Sequence, residues 1–261
     1  MRRIATIVLA VAATIGVAAG CSSSSPSSSS SPKAAGSVSG TITVFAASSL
    51  QGAFTTIGQQ FQSAHPGTTV KFSFGASSSL AQEINAGSPA DVFASASTTN
   101  MDQVVTAGHA SNPVTFANNV MEVAVPPSNP AHVASVSDLA NPAVKTALCQ
   151  PQVPCGVTAA KVFSNAKIAV TPVTQQPDVK SVLTQVELNN VDAGMVYVTD
   201  VKAAGSKVMG IQIPSGENAS TAYPIATVNS SKNKATADAF TAYVNSSAGQ
   251  KVLATDGFEK P

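Results

Sequence analysis

Residues 72–84 read Phe-Ser-Phe-Gly-Ala-Ser-Ser-Ser-Leu-Ala-Gln-Glu-Ile. The stretch begins as a strand, with Val70, Phe72 and Phe74 alternating with Lys71 and Ser73. It ends as a helix, with Leu80, Ala81 and Ile84 at helical spacing. Between the two lie Gly75, Ala76 and the serines 77–79. A strand that runs through small residues into a helix leaves the helix's first backbone N–H groups without internal acceptors. Such donors favour an anion, and serine hydroxyls add to them. The same arrangement occurs earlier. Thr-Ile-Thr-Val-Phe (41–45) reads as a strand, Ala-Ala-Ser-Ser (46–49) as a turn, and 50–61 as a helix. Two such corners side by side make a pocket of neutral donors.

From residue 41 onward, strand and helix patterns alternate. This predicts an α/β sheet with crossover helices. Strands are expected near 90–96, 120–125, 168–173, 193–198 and 223–228. Helices are expected at 99–107, from Cys155 through Phe163, at 180–187, and at 235–253 with a break near Ser246. Pro154 and Pro177 stand at helix starts, which leaves the N–H groups of Cys155, Gly156, Asp178 and Val179 as free donors.

The first 20 residues read as an export signal: Arg2 and Arg3, then an apolar run too short to span a membrane comfortably, ending before Cys21. Residues 21–40 form a Ser-rich tether that lacks the apolar surface to fold. As a flexible coil it reaches roughly 25 Å. A formal net charge of +1 over 261 residues gives no reason to expect nucleic acid as a partner. Cys149 and Cys155 lack a zinc-site spacing. In an exported chain they are expected to form a local disulfide worth ~2 kcal/mol, against the alternative of two free thiols.

Six phrases in order carry a resemblance: Thr43-Val-Phe-Ala-Ala-Ser-Ser-Leu50, Phe74-Gly-Ala-Ser-Ser-Ser-Leu80, Gly87-Ser-Pro-Ala-Asp-Val-Phe93, Val153-Pro-Cys-Gly156, Asp178-Val179 and Val196-Tyr197. Together they resemble the molybdate-binding proteins of bacterial ABC transporters, and Val-Ala-Ala-Gly-Cys (17–21) resembles a lipobox. The resemblance implies a type II, two-lobed periplasmic-binding-protein fold with the ligand in the inter-lobe cleft. The lobes would be 41–121 plus 225–261, and 122–224. The implied ligand is molybdate, with tungstate equivalent in charge and nearly so in shape. The implied contacts are Ser49 and Ser77 through hydroxyl and N–H, Cys155 and Val179 through backbone N–H, and Tyr197 through its hydroxyl. Cys155 departs from the family's alanine, a change that spares a backbone contact. The oxyanion is the whole ligand, with no cofactor and no direct metal ligands from the protein. Cys21 would carry the lipid, holding a monomer at the outer face of the cell membrane. A membrane permease and a separate ATPase chain would be its partners.

Elementary chemistry points the same way. A fully deprotonated tetrahedral dianion only accepts hydrogen bonds, so a donor-only pocket satisfies it. Protonated phosphate carries an O–H that needs an acceptor, and neither serine corner contains Asp or Glu. Sulfate remains an alternative oxyanion. An exported serine hydrolase is the alternative of another class. It is disfavoured because Gly-Ala-Ser-Ser-Ser (75–79) lacks the second glycine of a nucleophile elbow and no histidine follows in a convincing loop. The expectation is therefore a binding protein and not an enzyme.

Overall fold

The computed structural model describes residues 38–261. The expected signal, Cys21 and most of the tether lie outside the described residues. Ser39 and Gly40, assigned by composition to the tether, belong to the fold. The Ser39 N–H donates to Thr236 Oγ1 at 3.0 Å, that hydroxyl donates to the Ser39 carbonyl at 2.8 Å, and Gly40 opens the first strand.

The first half runs β1 (Gly40–Ala47), one 3-10 turn (Ser48–Leu50), α1 (Gln51–Ala64), β2 (Thr68–Gly75), α2 (Ser77–Asn85), β3 (Val92–Ala94) and α3 (Thr98–Thr106). β1 lies between β2 and β3 and is parallel to both, with Ala47 opposite Gly75 and Ala46 opposite Ala94. The second half runs β4 (Val114–Val125), a 3-10 turn (Val136–Ala140), β5 (Thr146–Cys149), α4 (Pro154–Ala166), β6 (Thr174–Gln176), α5 (Val179–Glu187), β7 (Ala193–Tyr197), α6 (Val198–Ala204), a 3-10 turn (Gly205–Lys207) and β8 (Met209–Gln212). β9 (Ser220–Thr227), α7 (Lys234–Asn245) and α8 (Ser247–Asp256) close the chain.

β5 is parallel to β6 and β7, so the trio β6-β5-β7 repeats the order β2-β1-β3. In each trio the first strand is central, the second outer and the third inner. The connection after the third strand therefore leaves inward, opposite to the outward connection after the first strand. A crevice opens at its carboxyl end, where open α/β sheets bind ligands. The antiparallel pair β4 and β9 links the trios. β4 pairs with β9 over 114–120, then with β7 and β8 over 121–125.

Each half has its own packing. Phe54 on α1 lies 6.2, 5.6 and 6.1 Å, ring to ring, from Phe72, Phe116 and Phe240, which fastens α1 and α7 to one face of the first trio. Burying each such ring contributes about 1.5–3 kcal/mol. Leu80, Ile84, Met101 and Val104 cover the opposite face from α2 and α3. The second trio is packed round Val162, Val182, Val186 and Met195. Gly194 lets α5 approach β7 closely, because a Cβ there would meet Val182 and Val186.

Two sequence expectations are corrected. The strand expected at 168–173 lies later, at Thr174–Gln176. Pro172 has no N–H for a ladder, and the segment stays at least partly exposed along an edge. Val198, read as the end of a strand, instead opens α6. Neither α6 nor β8 had been foreseen, since seven and four residues carry little periodic signal.

Candidate anion-binding site

One cavity is lined by Ser48, Ser49, Ala76, Ser77, Ala96, Pro154, Cys155, Asp178, Val179 and Tyr197, with Ala47, Gly75 and Val153 at its edges. All five residues implied by the resemblance are in this set. Each follows or ends a parallel strand. Ser49 follows β1, Ser77 follows β2, Cys155 follows β5, Val179 follows β6 and Tyr197 ends β7. The repeated trio thus brings local strand-to-helix corners from distant parts of the chain to one point.

The corners present donors. Three helical starts around the cavity have N-cap residues that supply no side-chain cap: Ala47, Ala76 and Val153. α3 and α8 are capped by Ser97 and Ser246. An uncapped start also occurs at α7, but the three at the cavity converge. Cys155 and Gly156 are the second and third residues of α4, and Val179 is the first of α5, positions whose N–H groups have no intrahelical acceptor. The side chains behind them fix the backbone. Cys155 is bonded to Cys149 at the end of β5, so the expected disulfide is present. A Cβ on Gly156 would strike the Gln150 carbonyl.

The hydroxyls are placed with equal care. Ser77 Oγ accepts the Ala96 N–H at 2.9 Å, which occupies a lone pair and leaves its proton for the cavity. Ser49 Oγ lies 2.9 Å from the Tyr223 hydroxyl. The Tyr197 hydroxyl is buried without a hydrogen-bond partner of good geometry. Thr158, which offsets a little of the rise in its pKa, donates its own proton to the Pro154 carbonyl at 2.9 Å, so toward Tyr197 it can only accept. Burial, and after it Tyr223, pushes the Tyr197 pKa well above the ordinary tyrosine value. It therefore stays a protonated donor. An orphaned buried hydroxyl costs about 1–3 kcal/mol unless a ligand satisfies it.

Among the described residues, the lining holds a single charged side chain. The one carboxylate there, Asp178, is turned to its own helix: Oδ1 accepts the Ser181 N–H at 3.1 Å and Oδ2 the Ser181 hydroxyl at 3.0 Å. Among the described residues no Lys or Arg lines the cavity. Lys180, next to Val179 in sequence, is paired with Asp200 Oδ1 at 2.9 Å. Among the described residues no group of three or more His, Cys, Asp or Glu could hold a metal ion. The space is small. It has room for roughly one water molecule. An amino acid or a sugar does not fit.

Comparison with known proteins agrees. The family profile described as "Bacterial extracellular solute-binding protein" matches residues 42–259. The chain belongs to this family. The solute-binding protein is 40% identical over 222 residues to molybdate-binding protein ModA of Mycobacterium tuberculosis, covering 85% of each chain. It is 31% identical over 230 residues to the Escherichia coli protein of the same name, covering 84% and 89%. Among solved structures, the Azotobacter vinelandii periplasmic molybdate-binding protein superposes with a TM-score of 0.75 at 20% identity, covering 84% of this chain and 99% of that one. The sulfate-binding protein SubI of Mycobacterium tuberculosis gives 0.74 at 18%, covering 84% and 86%. At such identities these structures establish the mixed α/β periplasmic-binding-protein fold, of type II.

Sequence reading missed Ala96, which lines the cavity, and Tyr223 and Asn119 behind it. Ala96 follows β3, which was read only as a core strand. Tyr223 and Asn119 sit on β9 and β4, and no local motif marks them.

Proposed function

We propose that this solute-binding protein captures molybdate, with tungstate as an equivalent ligand, outside the cytoplasmic membrane and delivers it to an ABC permease driven by a separate ATPase chain. The observation that carries this reading is the buried Tyr197 hydroxyl, without a protein partner of good geometry, in a cavity that also holds serine hydroxyls and helix-start N–H groups. A fully deprotonated tetrahedral oxyanion satisfies every one of those donors. Ser49, Ser77, Cys155, Val179 and Tyr197 are its contacts. The 40% identity to a named molybdate-binding protein selects molybdate among oxyanions.

In this reading 41–121 with 225–261 form one lobe and 122–224 the other. Closure of the lobes assembles the donor set and marks the loaded state for the permease. Cys21 anchors a monomer to the membrane through the Ser-rich residues that precede Ser39. Binding is favoured over catalysis because no cavity-lining residue is a histidine and the Asp178 carboxylate is committed to Ser181.

The test is thermal unfolding of the full chain with molybdate, tungstate, sulfate or phosphate at fixed ionic strength. A ligand at one hundred times its dissociation constant adds about 2.7 kcal/mol, which raises Tm by several degrees. Stabilisation by molybdate and tungstate is expected. Stabilisation by sulfate alone would transfer the site to the second oxyanion reading, and no stabilisation by any of the four would overturn it.

A further inference from the structure

Behind Ser49 lies a buried relay that reaches across the fold. Asn119 Oδ1 accepts the Val120 N–H at 3.0 Å, which fixes the amide so that its NH₂ points away from that bond. The NH₂ donates to Thr199 Oγ1 at 2.9 Å and to the Tyr223 hydroxyl at 3.4 Å. The Tyr223 hydroxyl in turn lies 2.9 Å from Ser49 Oγ. Asn119 and Tyr223 are both buried, at 1% and 0% exposed.

An amide NH₂ only donates. The Tyr223 oxygen therefore accepts from Asn119, and among the described residues the remaining partner for its proton is Ser49 Oγ. Ser49 then has a lone pair occupied from behind, and its own proton turns to the cavity. Ser77 reaches the same state by a different route, because its lone pair is occupied by the Ala96 N–H. A backbone N–H cannot reverse. The Tyr223–Ser49 bond can, since either hydroxyl is able to donate.

We infer that Tyr223, oriented by Asn119, is a positioning and specificity-determining residue: it locks Ser49 as a donor and so makes the cavity reject anions that carry a proton. The inference rests on the oxyanion reading above. Without the lock, the Ser49 hydroxyl would rotate and offer its lone pair to an anion O–H. Hydrogenphosphate and molybdate carry the same charge but differ in that proton, so their ratio of affinities reports the direction of one hydroxyl.

Tyr223→Phe removes the hydroxyl and keeps the ring, which packs edge-on to Tyr197, Phe116 and Phe258. The experiment is calorimetric titration of the full chain with sodium molybdate, and with phosphate at a pH where it is hydrogenphosphate. The proteins are wild type, Tyr223→Phe, Ser49→Ala and the double variant. Tyr223→Phe is expected to weaken molybdate binding about tenfold and to narrow the molybdate-to-hydrogenphosphate ratio. In the Ser49→Ala background the same change should cost less than about twofold, because there is no hydroxyl left to orient. An equal cost in both backgrounds, or an unchanged ratio, overturns the inference. A merely structural role for Tyr223 would weaken both anions alike. Asn119→Asp is the second variant. Its carboxylate accepts from Tyr223 and reverses the relay, so the ratio should narrow further although both anions meet the same added charge. A ratio that Asn119→Asp leaves alone also overturns the inference. If wild type fails to bind molybdate, the oxyanion reading falls and this inference with it, a result distinct from the others.

Discussion

Ser77 Oγ accepts the backbone N–H of Ala96 at 2.9 Å, tying the first residue of α2 to the loop after β3. The bond does two things at once. It satisfies a buried donor, and it leaves the serine proton for a ligand. Ser77→Ala should therefore reduce both molybdate affinity and stability. Losing a hydrogen bond to a charged group weakens binding by about 1.5–3 kcal/mol, and the orphaned Ala96 N–H costs about 1–3 kcal/mol of stability. Titration and chemical denaturation of the same variant check the two effects. Unchanged affinity would remove Ser77 from the site.

The disulfide makes a contrasting case. Cys155 lines the cavity, but the proposed contact is its N–H. Replacing Cys149 and Cys155 together with alanine should lower stability by about 2 kcal/mol through the short closed loop and leave affinity within about threefold of wild type. Gly156→Ala should do the reverse of sparing the site. A Cβ there collides with the Gln150 carbonyl, so the start of α4 must move and carry the donor with it. A large affinity loss in the double cysteine variant would show that the bridge itself holds the donor in place.

These cases show what was legible in the sequence. The corners at Ser49 and Ser77 could be read because strand, small residues and helix are contiguous there. Pro154 and Pro177 marked helix starts for the same reason. Pro177 thereby exposed the N–H of Val179 to a reading of the residues, whereas Tyr197 carried no such mark and was reached through the resemblance. Ser49 and Tyr223 are 174 residues apart, and their bond depends on how β9 is placed beside β3 and β4. No local pattern encodes that placement. The misplaced strand at 168–173 has the opposite origin: an apolar alternation was present, but Pro172 and an exposed edge outweighed it.

Lys180 and Asp200 give a pH-dependent test. Asp200 is fully buried, and burial raises its pKa from 3.8 despite the lowering effect of Lys180 and of the Tyr197 N–H, which donates to Oδ2 at 3.1 Å. A carboxyl with a raised folded pKa favours the fold when protonated, so its contribution is lost as pH climbs through that raised value. Lys180→Met removes the compensating charge. It should cost about 3 kcal/mol at neutral pH, and the loss should shrink on acidification as Asp200 takes up a proton. Denaturation across the acidic range compares the variant with wild type. A deficit that stays constant with pH would mean that Asp200 is not ionised at neutral pH.

Tyr197→Phe separates function from stability. The hydroxyl is buried, has no protein partner of good hydrogen-bond geometry, with Thr158 beside it, and keeps its proton because burial raises its pKa. In the unliganded protein it is a cost, so its removal should stabilise by up to about 1–3 kcal/mol, the penalty of an unsatisfied buried polar group. In the liganded protein it is a donor to the anion, so the same change should weaken molybdate binding at least tenfold. The two effects have opposite signs, and thermal unfolding with and without molybdate reads both in one series. Wild type should lie below the variant without ligand and above it with ligand. A variant less stable than wild type in both conditions would place a protein partner on that hydroxyl and move the ligand elsewhere. A crossing of the two curves would identify Tyr197 as a residue kept for binding at the expense of the fold.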